Sequence, residues 1–126
     1  MNCYFGAYSY PRQEENGKTA VVMFRIPDVG IQFKAPFQAV NNDHSDYASL
    51  LALLEFIDSN QKYFTNRAYQ IFGNNAHVIN QVNGREVCPP EFEFLAEKAR
   101  QYREKYRFSL QWVASRDNSV FDPLLD

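Results

Sequence analysis

Few side chains in this 126-residue chain could do acid–base, nucleophilic or metal chemistry, and their spacing excludes several familiar arrangements. His44 and His77 are the only histidines, and neither has a cysteine or a second histidine at zinc-ligand spacing. Both are read as structural or surface residues. Cys3 and Cys88 stand far apart and neither belongs to a Cys-x-x-Cys pair, so two buried free thiols are expected. No glycine-rich phosphate loop and no Gly-x-Ser-x-Gly elbow is present. Among the acids, Asp46 follows Asp43 by three positions, a spacing that favours the positive N-terminus of a helix. Asp122 precedes Pro123 and suits a turn or a helix start. Asn74 follows Gly73 and suits a turn that tolerates positive φ.

The basic residues are unevenly spread. Lys98, Arg100, Arg103, Lys105 and Arg107 fall in one stretch, interleaved with Tyr102 and Tyr106. A basic helix end with aromatic neighbours can contact phosphates and stack on bases. Glu97 and Glu104 lie in the same stretch, so a solvated face laced with ion pairs explains it equally well. The formal net charge of -2 gives no global pull toward a phosphate backbone and leaves room for a local patch.

These residues need elements to position them. The length is that of one ordinary domain, with 45% hydrophobic residues to fill one core. No low-complexity tract, repeat or long linker divides it, and residues 1–126 are read as one domain. No apolar run reaches membrane-spanning length. The start, Met1-Asn2-Cys3-Tyr4, lacks the features of a signal peptide, and a cytoplasmic protein is expected.

Residues 2–9 read as a strand. Asn16-Gly17 marks a hairpin turn. Residues 19–26 follow with Ala20, Val22, Phe24 and Ile26 on one face. Residues 30–38 alternate with period two, and Pro36 puts that strand at a sheet edge or places itself at the strand's end. The pattern then turns helical: Asp43 would cap a helix near 44–58 carrying Tyr47, Leu50, Leu51, Leu54 and Ile57. A short strand over 68–72 precedes a short helix ending near Gly84. Pro89-Pro90 open a longer helix with Phe92, Leu95, Ala96, Ala99 and Tyr102 inward. A last strand covers 107–113, and residues 116–125 would close the chain as a short helix. The order predicts an α/β fold: an antiparallel three-strand meander, then strands whose crossovers make them parallel neighbours. That is a five-stranded mixed sheet with helices on its faces.

Three segments resemble the ribonuclease H family. Residues 41–54 (NNDHSDYASLLALL) are similar to its first helix, with Ser45-Asp46-Tyr47 where the family has Ala-Glu-Tyr. Residues 71–84 (IFGNNAHVINQVNG) resemble its strand-to-helix junction, with Asn74-Asn75 in place of Asp-Ser. Residues 110–125 resemble its closing strand and helix, through Arg116, Asn118, Asp122 and Leu124. The resemblance covers roughly residues 2–125 and implies the ribonuclease H-like fold. It also implies hydrolysis of RNA phosphodiesters by two magnesium ions, which converging carboxylates must hold.

The sequence departs from that carboxylate set. Residues 2–9 contain no acid, and Phe5-Gly6-Ala7 resembles a family first strand with its acid deleted. Asp46 is one methylene shorter than the family glutamate, Asn74 carries no charge, and only Asp122 keeps the family's residue type. Asp46, Asn74 and Asp122 are thus the degenerate catalytic positions. Asp46 and Asp122 would hold one loosely hydrated magnesium, and the family reaction is crippled unless Asp43 or another acid has moved into the site. The expectation is a catalytically impaired domain, a pseudoenzyme, that binds an RNA–DNA hybrid or other nucleic acid. Arg100, Arg103, Lys105, Arg116 and Asn118 are its expected contacts. Two alternatives stand beside it: a divergent metal-dependent nuclease with relocated acids, and a protein-interaction domain that keeps only the fold.

Overall fold

The computed structural model describes residues 1–10, 17–64 and 67–123. Strands β1 (Asn2–Ser9), β2 (Ala20–Ile26) and β3 (Ile31–Phe37) come first. Helices α1 (Asn42–Ser59) and α2 (Gln61–Phe64), strand β4 (Tyr69–Gly73), helices α3 (Ala76–Val82) and α4 (Glu93–Lys105) and strand β5 (Phe108–Trp112) follow. The sheet order is β3-β2-β1-β4-β5. The first three strands form the expected antiparallel meander, with Phe24 opposite Phe5 on one side and Phe33 on the other. β4 and β5 lie parallel to β1 and to each other, with Cys3 beside Ile71 and Ile71 beside Leu110. Pro36 sits on β3, an edge strand, where a missing N–H costs no ladder bond. Asn16 of the Asn-Gly turn lies outside the described residues, while Gly17 has φ 82°.

Period-two alternation sends Cys3, Phe5, Phe24, Ile26, Ile71 and Leu110 to one face, where the helices pack. α1 supplies Tyr47, Leu50, Leu53, Leu54 and Ile57 to that core. Each fully buried leucine there contributes about 1.5–3 kcal/mol. The other face carries Val21 and Met23, covered by Val120 from the segment after β5. Both thiols are buried and free, and Cys88 Sγ lies 3.6 Å from the Tyr47 hydroxyl.

Two expected boundaries differ. α1 is capped by Asn41, not Asp43, and begins at Asn42: the Asn41 side chain accepts from the His44 N–H at 2.9 Å. Asp43 falls inside the first turn, where its charge still meets the helix N-terminus. The segment after β5 is not one regular closing helix within the described residues. It forms two 3-10 turns, Ser115–Asp117 and Ser119–Phe121. Between them Asn118 is extended (φ -88°, ψ 111°) and caps the second turn. Leu124 lies outside the described residues. No described helix is long and apolar enough to cross a membrane.

Candidate functional site

The site exists because two neighbouring parallel strands part. β1 pairs with β4 only from Asn2 to Tyr4. Beyond that, two β1 carbonyls take side-chain partners: Asn118 Nδ2 donates to Phe5 O at 2.9 Å, and Ser49 Oγ donates to Gly6 O at 2.8 Å. The split lies at the carboxyl ends of parallel strands, the place where open α/β sheets receive ligands.

A cavity of about 460 Å³ opens there, lined by Ala7, Ser9, Asp43, Asp46, Asn74 and Asn75 among others. Asn75 links its two acids. Its Oδ1 caps α3 by accepting from the Val78 N–H at 3.2 Å. Its Nδ2 donates to Asp43 Oδ1 at 2.8 Å and to Asp46 Oδ2 at 2.9 Å. A neutral amide thus bridges two carboxylates at the point where a cation would otherwise neutralise them. Burial pushes the Asp46 carboxyl up to about 6. The neighbouring Asp43 charge pushes the same way, and hydrogen bonds from Asn75 and the Ala7 backbone oppose it.

Asn74 lines the same cavity and is bonded into a net of neutral groups. Its Oδ1 accepts from Asn118 Nδ2 at 2.8 Å, its Nδ2 donates to Ser115 Oγ at 3.0 Å, and its carbonyl accepts from Trp112 Nε1 at 3.2 Å. Asn118 is wholly buried. Both hydrogens of its amide are used, and its Oδ1 accepts from the Val120 N–H. It has no surface with which to touch a nucleic acid. Its role is to hold the closing segment to β1 and to Asn74, which corrects its reading as a contact residue.

The structure brings Asp46 and Asn74 to one cavity and leaves Asp122 out of that lining. Asp122 Oδ2 accepts from the Ser119 hydroxyl and lies 3.8 Å from Arg25 Nη1. Arg25 Nη1 also donates to Ser119 O at 3.1 Å. A cation on the far face of β2 therefore draws the Asp122 carboxylate. Asp122 does not share the cavity lining with Asp46. Asp43 is the acid that joins Asp46 instead.

The basic residues divide. Arg100 donates to the carbonyls of Gln81 and Val82 and pairs with Glu93 and Glu97. Arg103 donates to Asn83 Oδ1 and lies over the Phe108 ring, with its Nε buried and unpartnered. Both arginines stitch α4 to its neighbours. Lys105 pairs with Asp58 at 2.8 Å. Arg116 is 87% exposed, and Trp112, bonded through Nε1 to the Asn74 carbonyl, is 55% exposed.

Three residues that carry this geometry were not singled out from sequence. Asn75 carried a signal, an asparagine immediately before a helix. Ser49 and Trp112 carried none, since their partners lie 43 and 38 residues away.

Magnesium is the metal the resemblance implies, and the donors do not fit a pair of ions. Among the described residues no group of three or more His, Cys, Asp or Glu side chains is placed to hold a metal. Asp43 and Asp46 both spend an oxygen on the Asn75 amide, and two carboxylates do not neutralise two divalent ions.

No family model and no curated protein matches the sequence. Solved structures do match. The chain is 18% identical to ribonuclease H1 of the halophilic archaeon Halobacterium salinarum, with a TM-score of 0.72, covering 94% of this chain and 88% of that one. It is 13% identical to LC11 ribonuclease H1 in complex with an RNA/DNA hybrid, with a TM-score of 0.74 over the same shares. It is 18% identical to the N-terminal ribonuclease H domain of a Mycobacterium tuberculosis protein, with a TM-score of 0.67 over 94% and 86%. At these identities the likeness is one of fold, and the five-stranded mixed sheet of this chain is the ribonuclease H-like fold.

Proposed function

We propose that this chain is a ribonuclease H-like domain that binds nucleic acid, with RNA–DNA hybrid as the expected ligand, across the cleft between Asp46 and Asn74. Efficient two-metal cleavage is not part of its activity. One observation carries the second statement: the Asn75 amide stands between the two carboxylates that line the cleft. Two-ion hydrolysis needs converging negative charge to hold both ions against their repulsion. Here the junction residue is an asparagine bonded to neutral partners, and the third acid is turned toward Arg25.

Binding is supported by exposed residues next to Asn74 and its partner Ser115, and by the fold. Trp112 offers an exposed indole beside Asn74, and stacking on an aromatic ring stabilises a base by about 1–3 kcal/mol. Arg116, exposed and only loosely paired with Asp117 at 3.9 Å, can turn to meet a phosphate. A relative in fold, LC11 ribonuclease H1, is seen with a hybrid bound. With the overall charge at -2, affinity rests on few contacts and falls as salt rises.

The test measures hybrid binding by anisotropy at low and moderate salt, alongside cleavage with magnesium or manganese. Salt-sensitive binding without product supports the proposal. Absence of binding at low salt removes it in favour of a protein-interaction domain. A second reading has its own support, because Asp43 joins Asp46 in the cavity. A nuclease with a relocated acid would show metal-dependent cleavage that disappears in Asp43→Asn.

A further inference from the structure

A second cavity, of about 420 Å³, lies at the opposite end of the sheet, where β4 and β5 begin. Arg67, Lys105 and Arg107 line it, with Phe64, Tyr69 and Tyr106 among its walls. The fold brings the backbones that carry two of these cations side by side. β4 and β5 run parallel with Tyr69 beside Phe108, and the Tyr69 N–H donates to Arg107 O at 3.0 Å. Arg67 and Arg107 therefore stand just upstream of adjacent strands, whose backbones lie about 4.8 Å apart.

Like charges lining one cavity repel, and an anion that joins them there relieves that repulsion. One of the three is already matched: Lys105 Nζ bonds Asp58 Oδ1 at 2.8 Å, and the Tyr106 hydroxyl bonds the same oxygen. The guanidinium groups of Arg67 and Arg107 have no hydrogen bond or ion pair among the described residues. Among the described residues two positive charges therefore remain over a cavity that holds far more than one water. The planar forks of arginine suit phosphate oxygens, which they can grip by two parallel N–H bonds. A phosphate monoester carries about -1.5 to -2 at neutral pH, which matches the uncompensated charge. A diester in a nucleic-acid backbone carries only one negative charge.

We propose that this cavity is a binding site for a phosphate monoester, held by Arg67 and Arg107 and separate from the Asp46–Asn74 cleft. Two sources share that chemistry, a free nucleoside 5′-monophosphate and the 5′-phosphorylated end of a nucleic-acid strand. The site does not depend on the proposed hybrid binding, since the two cavities share no lining residue.

The experiment is an NMR titration of the 14.7 kDa protein, reading the side-chain Nε–H signals of both arginines and the Ala68 and Tyr69 amides. The probes are inorganic phosphate, adenosine 5′-monophosphate, and one short oligonucleotide with either a 5′-phosphate or a 5′-hydroxyl. Chloride at matched ionic strength is the blank. The expected result is saturable shifts with inorganic phosphate, weakened by about tenfold or more in the Arg67→Gln, Arg107→Gln double variant. Both arginines are exposed, so the variant should keep the thermal midpoint of the wild type, which is measured alongside. Tighter binding of the monophosphate, or of the 5′-phosphorylated oligonucleotide, identifies the source. Equal shifts with chloride, equal affinity for the 5′-hydroxyl oligonucleotide, or an unchanged affinity in the double variant would each overturn the assignment.

Discussion

Asn118 and Asn74, 44 residues apart, are joined side chain to side chain, with Asn118 Nδ2 donating to Asn74 Oδ1 at 2.8 Å. The same Nδ2 donates to Phe5 O, so one buried amide ties the closing segment to two strands. Replacing Asn118 with alanine strips partners from the Phe5 carbonyl, the Asn74 amide and the Val120 N–H. A buried polar group left without a partner costs about 1–3 kcal/mol. Asn118→Ala is expected to lower unfolding stability by roughly 2–4 kcal/mol in urea. Asn118→Asp should cost at least as much, since a carboxylate cannot donate to either oxygen.

Asp46 gives a pH prediction. Its folded-state value of about 6 lies above the ordinary 3.8. Between those values the folded chain keeps a proton that the unfolded chain has lost, so this group's contribution to stability falls as pH rises through that window. Above about pH 6 the whole cost is present, roughly 1–3 kcal/mol. Asp46→Asn keeps an acceptor for Asn75 and Ala7 and removes the charge. The variant should be more stable than wild type near neutral pH, about equal to it below the ordinary carboxylate range, and flatter between. Denaturant midpoints across that range are the measurement, and a variant destabilised near neutrality would refute the account.

Gly73 lies against the Phe5 ring: a Cβ placed there would sit 2.5 Å from two ring carbons. The ring is fully buried and packed under the helices, so it has little room to yield. Gly73→Ala should cost about 1–3 kcal/mol of stability. It should also displace Asn74 beside it, which the Trp112 emission spectrum would register through the Nε1 bond to Asn74 O.

At the cleft, Trp112→Ala and Arg116→Ala are both expected to weaken hybrid binding. The tryptophan change should cost about 1–3 kcal/mol with little change in salt dependence. The arginine change should reduce the salt slope by about one contact. Titrations at several salt concentrations separate the two. Arg100→Ala with Arg103→Ala should instead act mainly through stability, because those guanidinium groups bind Gln81, Val82 and Asn83.

The sheet could be read from the sequence because strand periodicity is local. Ala20, Val22, Phe24 and Ile26 alternate in the sequence as they do in the core, and Pro36 marks its edge strand without reference to any neighbour. The sequence places the helix start two residues late because Asn41, Asn42 and Asp43 are all good caps, and only the backbone decides that Asn41 turns first. The site was less legible because its determinants are long-range. Nothing near Asp122 announces that Arg25, 97 positions earlier, will hold its carboxylate. Nor does Asn118 reveal that its amide is needed by Phe5, at the other end of the chain. The unusual feature of the cleft, an amide shared by Asp43 and Asp46, depends on where α3 starts relative to α1. That is a tertiary relation that no local spacing encodes.

The most direct test is a single gel assay of RNA–DNA hybrid with magnesium, comparing wild type, Asn74→Asp and Asp43→Asn. The account predicts that the hybrid stays intact with all three. Restoring one junction acid still leaves the first strand without a carboxylate and the Asn75 amide between Asp43 and Asp46. Magnesium-dependent cleavage by the wild type that is lost in Asp43→Asn would contradict it, and would show that Asp43 and Asp46 hold the metal of a working nuclease.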